Sequence, residues 1–304
     1  MITHVRSVSL GVPDMHAARE FYEKHWQLDL VGTDDDLVYL GAGCAENHVV
    51  RLRATPESRV DVLSFAAESP ADVDAVAERV IRHPRAALVE EPGTATDPKD
   101  GHRLRFLDFE GRTVEVVAGA ARREFRPVEP GEHRPVGISH VVLNTTDLIG
   151  ASHFYGAVLG FRVSDWVEDV MCFLRTGSAH HVIAFTRAPH VSLNHVAFEL
   201  RGVDEFMRAS GAMRGRGFEP VWGPGRHGVG ENTFTYFQDP SSRFILEYTS
   251  DMLRIEDEEH WTPQVYPANA QTSDQWGVGK ARDELVSTLL RGTPDPGLWT
   301  PPPV

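Results

Sequence analysis

Cysteine is almost absent from this 304-residue chain, which carries only Cys44 and Cys172. Two thiols so far apart in sequence build neither a disulfide framework nor a thiolate metal cage. Any metal must therefore rely on histidine and carboxylate, which favours harder ions than a cysteine-rich zinc site does. Long apolar runs are lacking as well: no window approaches the roughly 18 uninterrupted apolar residues of a membrane helix. The N-terminal MITHVRSVSL has no basic-then-apolar layout of a secretion signal, so a cytoplasmic location without membrane attachment is the expectation. Positive charge is in deficit, with 30 Lys and Arg against 44 Asp and Glu and a formal charge of −14. Such a chain repels phosphate backbones, and no basic stripe with interleaved aromatics offsets this, which argues against nucleic acid as a partner. What remains, 41% hydrophobic and 24% charged residues, is the composition of a globular protein of about two domains.

The chain repeats itself. AREFY, ending at Tyr22, returns as ASHFY, ending at Tyr155, 133 positions later. VSLGVPD ends at Asp14 and VVLNTTD at Asp147, again 133 apart, and each Asp is placed to cap a following helix. Around Asp108 and Glu115, FLDFEGRTVEVV matches FQDPSSRFILEY around Asp239 and Glu247, at offsets of 131 and 132. Within each copy the order is strand, helix, then alternating strands such as VMCFLRTG and HVIAFTR. A second helix follows (DVDAVAERVIRH in one copy, VDEFMRASGAMRGRG in the other), and then strands such as TFTYF and FILEY. The expected fold is α+β, two tandem domains each built from paired βαβββ modules, at residues 1–120 and 136–250. A charged, proline-bearing linker covers 121–135, and 251–304 reads as an irregular arm draped over the body or a neighbouring subunit.

The copies differ at one chemically coherent set of positions. His140 in the second copy stands where the first has Ser7, His195 where it has Val62, and Glu247 matches Glu115. Each lies on a strand-like segment, ISHVVL, LNHVAFEL and FILEY, so strands lining one concave sheet can bring the three together. A lone strand histidine is usually a packing or surface residue; the joint pattern is what points to a metal. Two imidazoles and a carboxylate on one face of an ion leave open positions, as in non-haem Fe(II) oxygenases, although the same donors also hold zinc or manganese.

Further along, His181 precedes His195 by fourteen residues, and in GPGRHGVGENTFTY His227 precedes Tyr236 by nine. With GISHVVL, LNHVAFEL, GPGRHGV, the Tyr of FTYF and the Glu of ILEYTSDM in order, the chain resembles the type I extradiol dioxygenases of the vicinal oxygen chelate (glyoxalase/bleomycin resistance/dioxygenase) superfamily. Within them it is nearest the branch that cleaves homoprotocatechuate, and the resemblance covers nearly the whole chain. It implies curved mixed sheets around a cavity and Fe(II), or alternatively Mn(II), on His140, His195 and Glu247. It also implies His181 as the acid–base residue beside O2, with His227 and Tyr236 hydrogen-bonded to the substrate oxygens. The implied reaction opens the ring of a substituted catechol by inserting both atoms of O2, in a homo-oligomer, a tetramer by family habit. Two departures stand out. DPSSRFILE replaces the usual acidic-Gly turn, and Trp222 stands where homoprotocatechuate-cleaving relatives tend to have a basic residue, which favours a different catechol. His180, adjoining His181 on a strand-like stretch, is expected on the opposite face. Arg226 and Asn232 read as solvated loop residues, and Glu115 as a vestige or a structural hydrogen-bonding group. Two further readings stand beside the dioxygenase: a metal-dependent isomerase or thiol transferase of the superfamily that uses no O2, and a non-catalytic ligand-sequestering protein.

Overall fold

The structure is a computed structural model that describes residues 1–95, 101–124, 127–129, 131–279 and 283–300. Parts of the expected linker (125, 126 and 130) and of the expected arm (280–282 and 301–304) lie outside the described residues. The first copy opens with β1 (Ile2–Val12), α1 (Met15–Glu20, running on through one π-helical turn at Phe21–His25), β2 (Asp29–Asp34), β3 (Leu37–Gly41) and β4 (Val50–Ala54). Its second module is β5 (Arg59–Ala67), α2 (Pro70–Arg82), β6 (Ala87–Thr94), β7 (His102–Leu107) and β8 (Thr113–Ala118). The second copy repeats this with β9 (Gly137–Thr145), α3 (Leu148–Leu159), β10 (Arg162–Val167), β11 (Met171–Arg175) and β12 (Ile183–Arg187). It ends in β13 (Ser192–Glu199), α4 (Val203–Gly215), β14 (Trp222–Arg226), β15 (Thr233–Gln238) and β16 (Ile245–Ser250). Asp14 and Asp147 accept backbone N–H bonds from Ala17 and Gly150, so each starts its helix as a cap. Gly160, at φ 76°, ends α3 in the left-handed region that glycine adopts without a Cβ penalty.

The strands form two mixed sheets, ordered β2-β3-β4-β1-β5-β8-β7-β6 and β14-β15-β16-β13-β9-β12-β11-β10, the second extended by β17 (Val265–Tyr266). In each sheet the two modules meet at an antiparallel pair, β1 with β5 and β9 with β13, flanked by parallel pairs. The repeated Phe-Tyr motif ties the copies to each other. Trp26, just beyond the π-helical turn, stacks on Tyr248 of β16 with centroids 3.9 Å apart, and Phe154 of α3 packs on Phe109 of the first copy at 5.4 Å. The Tyr155 hydroxyl donates to Asp108 Oδ2 at 3.0 Å. Trp26, Tyr22, Tyr155 and Phe154 are all buried, and side chains of this size contribute about 1.5–3 kcal/mol each on burial.

The arm is more regular than its sequence composition suggests. Beyond β17 it forms α5 (Ala270–Ser273), capped by Asn269, and α6 (Glu284–Arg291), capped by Asp283. Val286 and Leu290 of α6 pack onto Trp222, Phe234, Tyr236 and Ile245, so tertiary burial stabilises a helix too short to persist alone. Among the described residues no helix is long and apolar enough to cross a membrane.

Candidate metal centre

β16, β13 and β9 lie side by side, and Ala197 of β13 is in register with both Glu247 and His140. His195, two residues before Ala197, shares its face by strand alternation, so three segments far apart in sequence aim their side chains at one point. His140, His195 and Glu247 are 2%, 5% and 0% exposed, and one ligand atom from each lies within 4.8 Å of the others. His140 Nε2 is 3.3 Å and His195 Nε2 is 2.9 Å from Glu247 Oε2. Burial on its own would raise the Glu247 carboxyl, but His140 and His195 outweigh it and hold the pKa at about 2.

A chain of amides fixes which nitrogen His195 offers. The backbone carbonyls of Leu290 and Arg291 can only accept, so the group of Asn144 facing them at 3.0 and 3.1 Å is its NH2. Asn144 Oδ1 then accepts from Asn194 Nδ2 at 2.9 Å, which turns Asn194 Oδ1 to His195 Nδ1 at 2.8 Å. His195 is thus protonated on Nδ1 and presents a lone pair at Nε2. Ser139 Oγ sits 3.2 Å from His140 Nδ1 and leaves Nε2 of that ring facing Glu247. Glu247 Oε2, buried and without a well-formed hydrogen bond, stands within reach of both Nε2 atoms. A carboxylate and two ring nitrogens converging from one side are the donor set of a divalent metal held on one face, so the residues fit such an ion.

Asn232 belongs to this arrangement. Expected in solvent, it is fully buried, because its Nδ2 donates to Thr249 Oγ1 at 3.0 Å and approaches Glu247 Oε1 at 3.4 Å. An amide that satisfies a buried carboxylate is worth its own desolvation.

The candidate centre opens into a cavity of about 530 Å³. His181 lines it with its ring 4.3 Å from that of His140, while His227 and Tyr236 line another wall. The Ser273 carbonyl, which only accepts, fixes the proton of His227 on Nδ1 at 2.8 Å, so His227 Nε2 accepts from the Tyr236 hydroxyl at 3.0 Å. Burial first, then the His195 and His140 rings, lower the His227 pKa to about 4 against the opposing pull of Glu247 and the Ser273 carbonyl. Burial, with His140, His180, His227 and His195 around it, also drives His181 well below its ordinary value. Both rings are neutral near pH 7. Val142, Val170, Met171, Phe173 and Val229 of the second copy form an apolar wall, and the arm covers the cavity with Ala268, Ala270 and Leu290 together with the polar Asn269, Thr272, Ser273 and Asp274. Trp222 lies against Tyr236, nearly parallel at 5.5 Å.

His180 does not point away from His181. The pair falls in a bend before β12 rather than in a strand, so alternation does not apply, and both rings are buried in contact with each other. In the first copy, Glu115 accepts from Ser64 Oγ at 2.8 Å and from Arg105 Nε at 2.7 Å, with Arg6 beyond, so ion pairs fill the equivalent place.

Residues 137–248 match the profile of the Glyoxalase/Bleomycin resistance protein/Dioxygenase superfamily. The structure superposes on the Mn(II)-bound glyoxalase of Novosphingobium aromaticivorans with a TM-score of 0.91 and 37% identity, covering 98% of this chain and 97% of that one. The chain belongs to this superfamily. Metapyrocatechase 2 of Cupriavidus necator is 32% identical over 212 residues, which are 63% of this chain and 64% of that protein's length. The iron-dependent extradiol dioxygenase of Rhodococcus jostii is 27% identical over 88% of this chain and 94% of its own.

Proposed function

We propose that the chain is an extradiol dioxygenase that opens the ring of a substituted catechol, inserting both oxygen atoms of O2 at the carbon–carbon bond beside the diol. The observation that carries this reading is the pairing of one open-faced His-His-carboxylate cluster with three neutral polar groups, His181, His227 and Tyr236, around a single apolar cavity. The Rhodococcus relative named an iron-dependent extradiol dioxygenase supports it. His140, His195 and Glu247 would hold Fe(II), or Mn(II), which when bound supplies redox chemistry and open positions that assemble a catechol with O2.

The protein's own groups handle the protons. His227 Nε2 carries a lone pair and Tyr236 a hydroxyl hydrogen, 3.0 Å apart. Together they can take up one phenolic proton and return a hydrogen bond to the oxygen that loses it, which favours a catechol bound as its monoanion. Across the cavity, neutral His181 is the group available to give and take a proton on the side where O2 would add. The apolar wall excludes water from both steps. Asp274, whose Oδ1 accepts from the backbone N–H of Arg226 and Trp276, also lines the cavity and disfavours a carboxylated ring substituent. An uncharged, apolar substituent fits better.

A glyoxalase-type isomerase is the second reading, favoured by the name of the Novosphingobium relative. Anaerobic reconstitution with Fe(II), followed by O2 uptake and absorbance with a panel of substituted catechols, separates them. Stoichiometric uptake with a yellow ring-opened product is the expected result. Metal binding with no uptake across the panel overturns the dioxygenase in favour of the isomerase.

A further inference from the structure

Behind His181 lies a buried polar chain that the reaction outlined above does not use. Asp165 of β10 and His180 are 1% and 0% exposed. Asp165 faces inward at a register shift in the β10–β11 pairing, between Val163 and Asp165. His180 Nε2–H donates to Asp165 Oδ2 at 2.8 Å, while the other oxygen, Oδ1, accepts the backbone N–H of Gln264 from the arm at 2.6 Å. On the far side of the ring, His180 Nδ1 is 2.9 Å from His181 Nδ1. Phe173 and Trp261 wall the His180 ring at 5.6 and 6.3 Å. Gly230, at φ 78°, closes over the contact so tightly that a Cβ there would lie 3.0 Å from His180 Nδ1 and 3.2 Å from His181 Cε1. The contact is therefore held from every side.

We propose that Asp165 and His180 are positioning residues that set the tautomer of His181. With the carboxylate accepting at Nε2, a neutral His180 has only a lone pair at Nδ1, so the proton between the rings belongs to His181 Nδ1. His181 then offers the cavity an unprotonated Nε2, the form able to receive a proton from a bound substrate. A carboxylate that orients one imidazole is a familiar device; here the instruction passes through a second imidazole, and the arm fastens its far end. The proposal rests on reading the cavity as a ring-cleaving site, but its structural content does not depend on turnover.

Asp165→Asn makes the test sharp. An amide has one oxygen, and the Gln264 N–H requires it, so the NH2 must face His180 Nε2. That nitrogen becomes an acceptor, His180 Nδ1 a donor, and His181 is left with its proton on Nε2: both tautomers invert. The measurement is the ring 15N–1H correlation spectrum of the full-length, histidine-labelled protein with Zn(II) added as a diamagnetic probe. Wild type is expected to show His181 protonated on Nδ1 only, and Asp165→Asn on Nε2 only. With Fe(II), the variant should lose roughly 10²-fold in kcat with KM and metal content unchanged. A wild-type His181 carrying its proton on Nε2, or a folded variant with unaltered tautomers, overturns the proposal. Should the variant fail to fold, the wild-type spectrum alone decides. Failure of the dioxygenase reading is separately visible, as absence of O2 uptake by wild type whatever its tautomers.

Discussion

Arg105 Nε donates to Glu115 Oε2 at 2.7 Å, and Arg105 stands across from Glu115 in the first sheet as Tyr236 stands across from Glu247 in the second. One carboxylate position thus has two solutions. In the first copy, Arg105 and Arg6 neutralise it permanently; in the second, the corresponding space holds a tyrosine hydroxyl and two imidazoles. Burial on its own raises the Glu115 carboxyl, but Arg105, Ser64 and Arg6 together bring it below the ordinary value of 4.5. A carboxyl depressed in the folded state contributes stability that is fully present above its unfolded pKa and lost as pH falls through its folded pKa. Glu115→Gln should therefore cost about 1–3 kcal/mol near pH 7. The difference from wild type should shrink below about pH 4.5, as protonation removes the same charge from wild type. Urea unfolding across pH 3 to 7 checks this, and a pH-independent difference would rule it out.

Tyr155 and Tyr22 occupy equivalent repeat positions but are satisfied differently. Tyr155 donates to Asp108, whereas the buried Tyr22 hydroxyl makes no hydrogen bond among the described residues. Tyr155→Phe should cost about 1–2 kcal/mol, and Tyr22→Phe should be neutral or stabilising, because the lost hydroxyl was buried unpaired. Equal destabilisation of the two variants in denaturant melts would contradict the asymmetry.

Asn194 holds the donor end of His195 through a relay that begins at the carbonyls of α6. Asn194→Ala leaves both imidazoles and Glu247 in place but frees the His195 ring to rotate and change tautomer. Metal affinity is expected to fall about 10- to 100-fold with the fold intact. Titration with Zn(II) or Fe(II) against a competing chelator measures it. Wild-type affinity in the variant would show that strand packing alone orients His195.

Much of this was legible in the sequence because the chain contains its own control. The two copies mark where the folds agree, and Ser7 and Val62 against His140 and His195 mark where the chemistry departs. The α+β order of modules follows from caps at Asp14 and Asp147 and from strand alternation. What periodicity could not give is the direction of side chains outside regular strands. Alternation predicts opposite faces for His180 and His181, but the irregular stretch before β12 suspends that rule. Asn232 looked like any polar loop residue, since nothing local reveals that a carboxylate fifteen residues on would be buried against it. The arm hid its helix in a proline-rich stretch, although Asp283 before Leu285-Val286 and Leu289-Leu290 is a cap followed by apolar pairs at helical spacing. Its carbonyls reach both His195, through Asn144, and His227, through Ser273, which only the folded chain discloses.

Glu247→Gln separates the charge of the candidate centre from its packing. In the metal-free protein His140 and His195 hold the Glu247 carboxyl below its ordinary value, so the ionised carboxylate contributes stability near pH 7. A Gln amide keeps one oxygen for Asn232 but loses that charge. The metal-free variant should be less stable than metal-free wild type by about 1–3 kcal/mol. Added metal should widen the difference. Wild type gains about 2.7 kcal/mol when the free ion is at a hundred times its dissociation constant, whereas the variant, lacking the charge, gains little. Thermal melts of both proteins with and without Fe(II) or Zn(II) under anaerobic conditions supply the four values. If the variant were stabilised by metal as much as wild type, Glu247 would not be a ligand and the proposed centre would have to be abandoned.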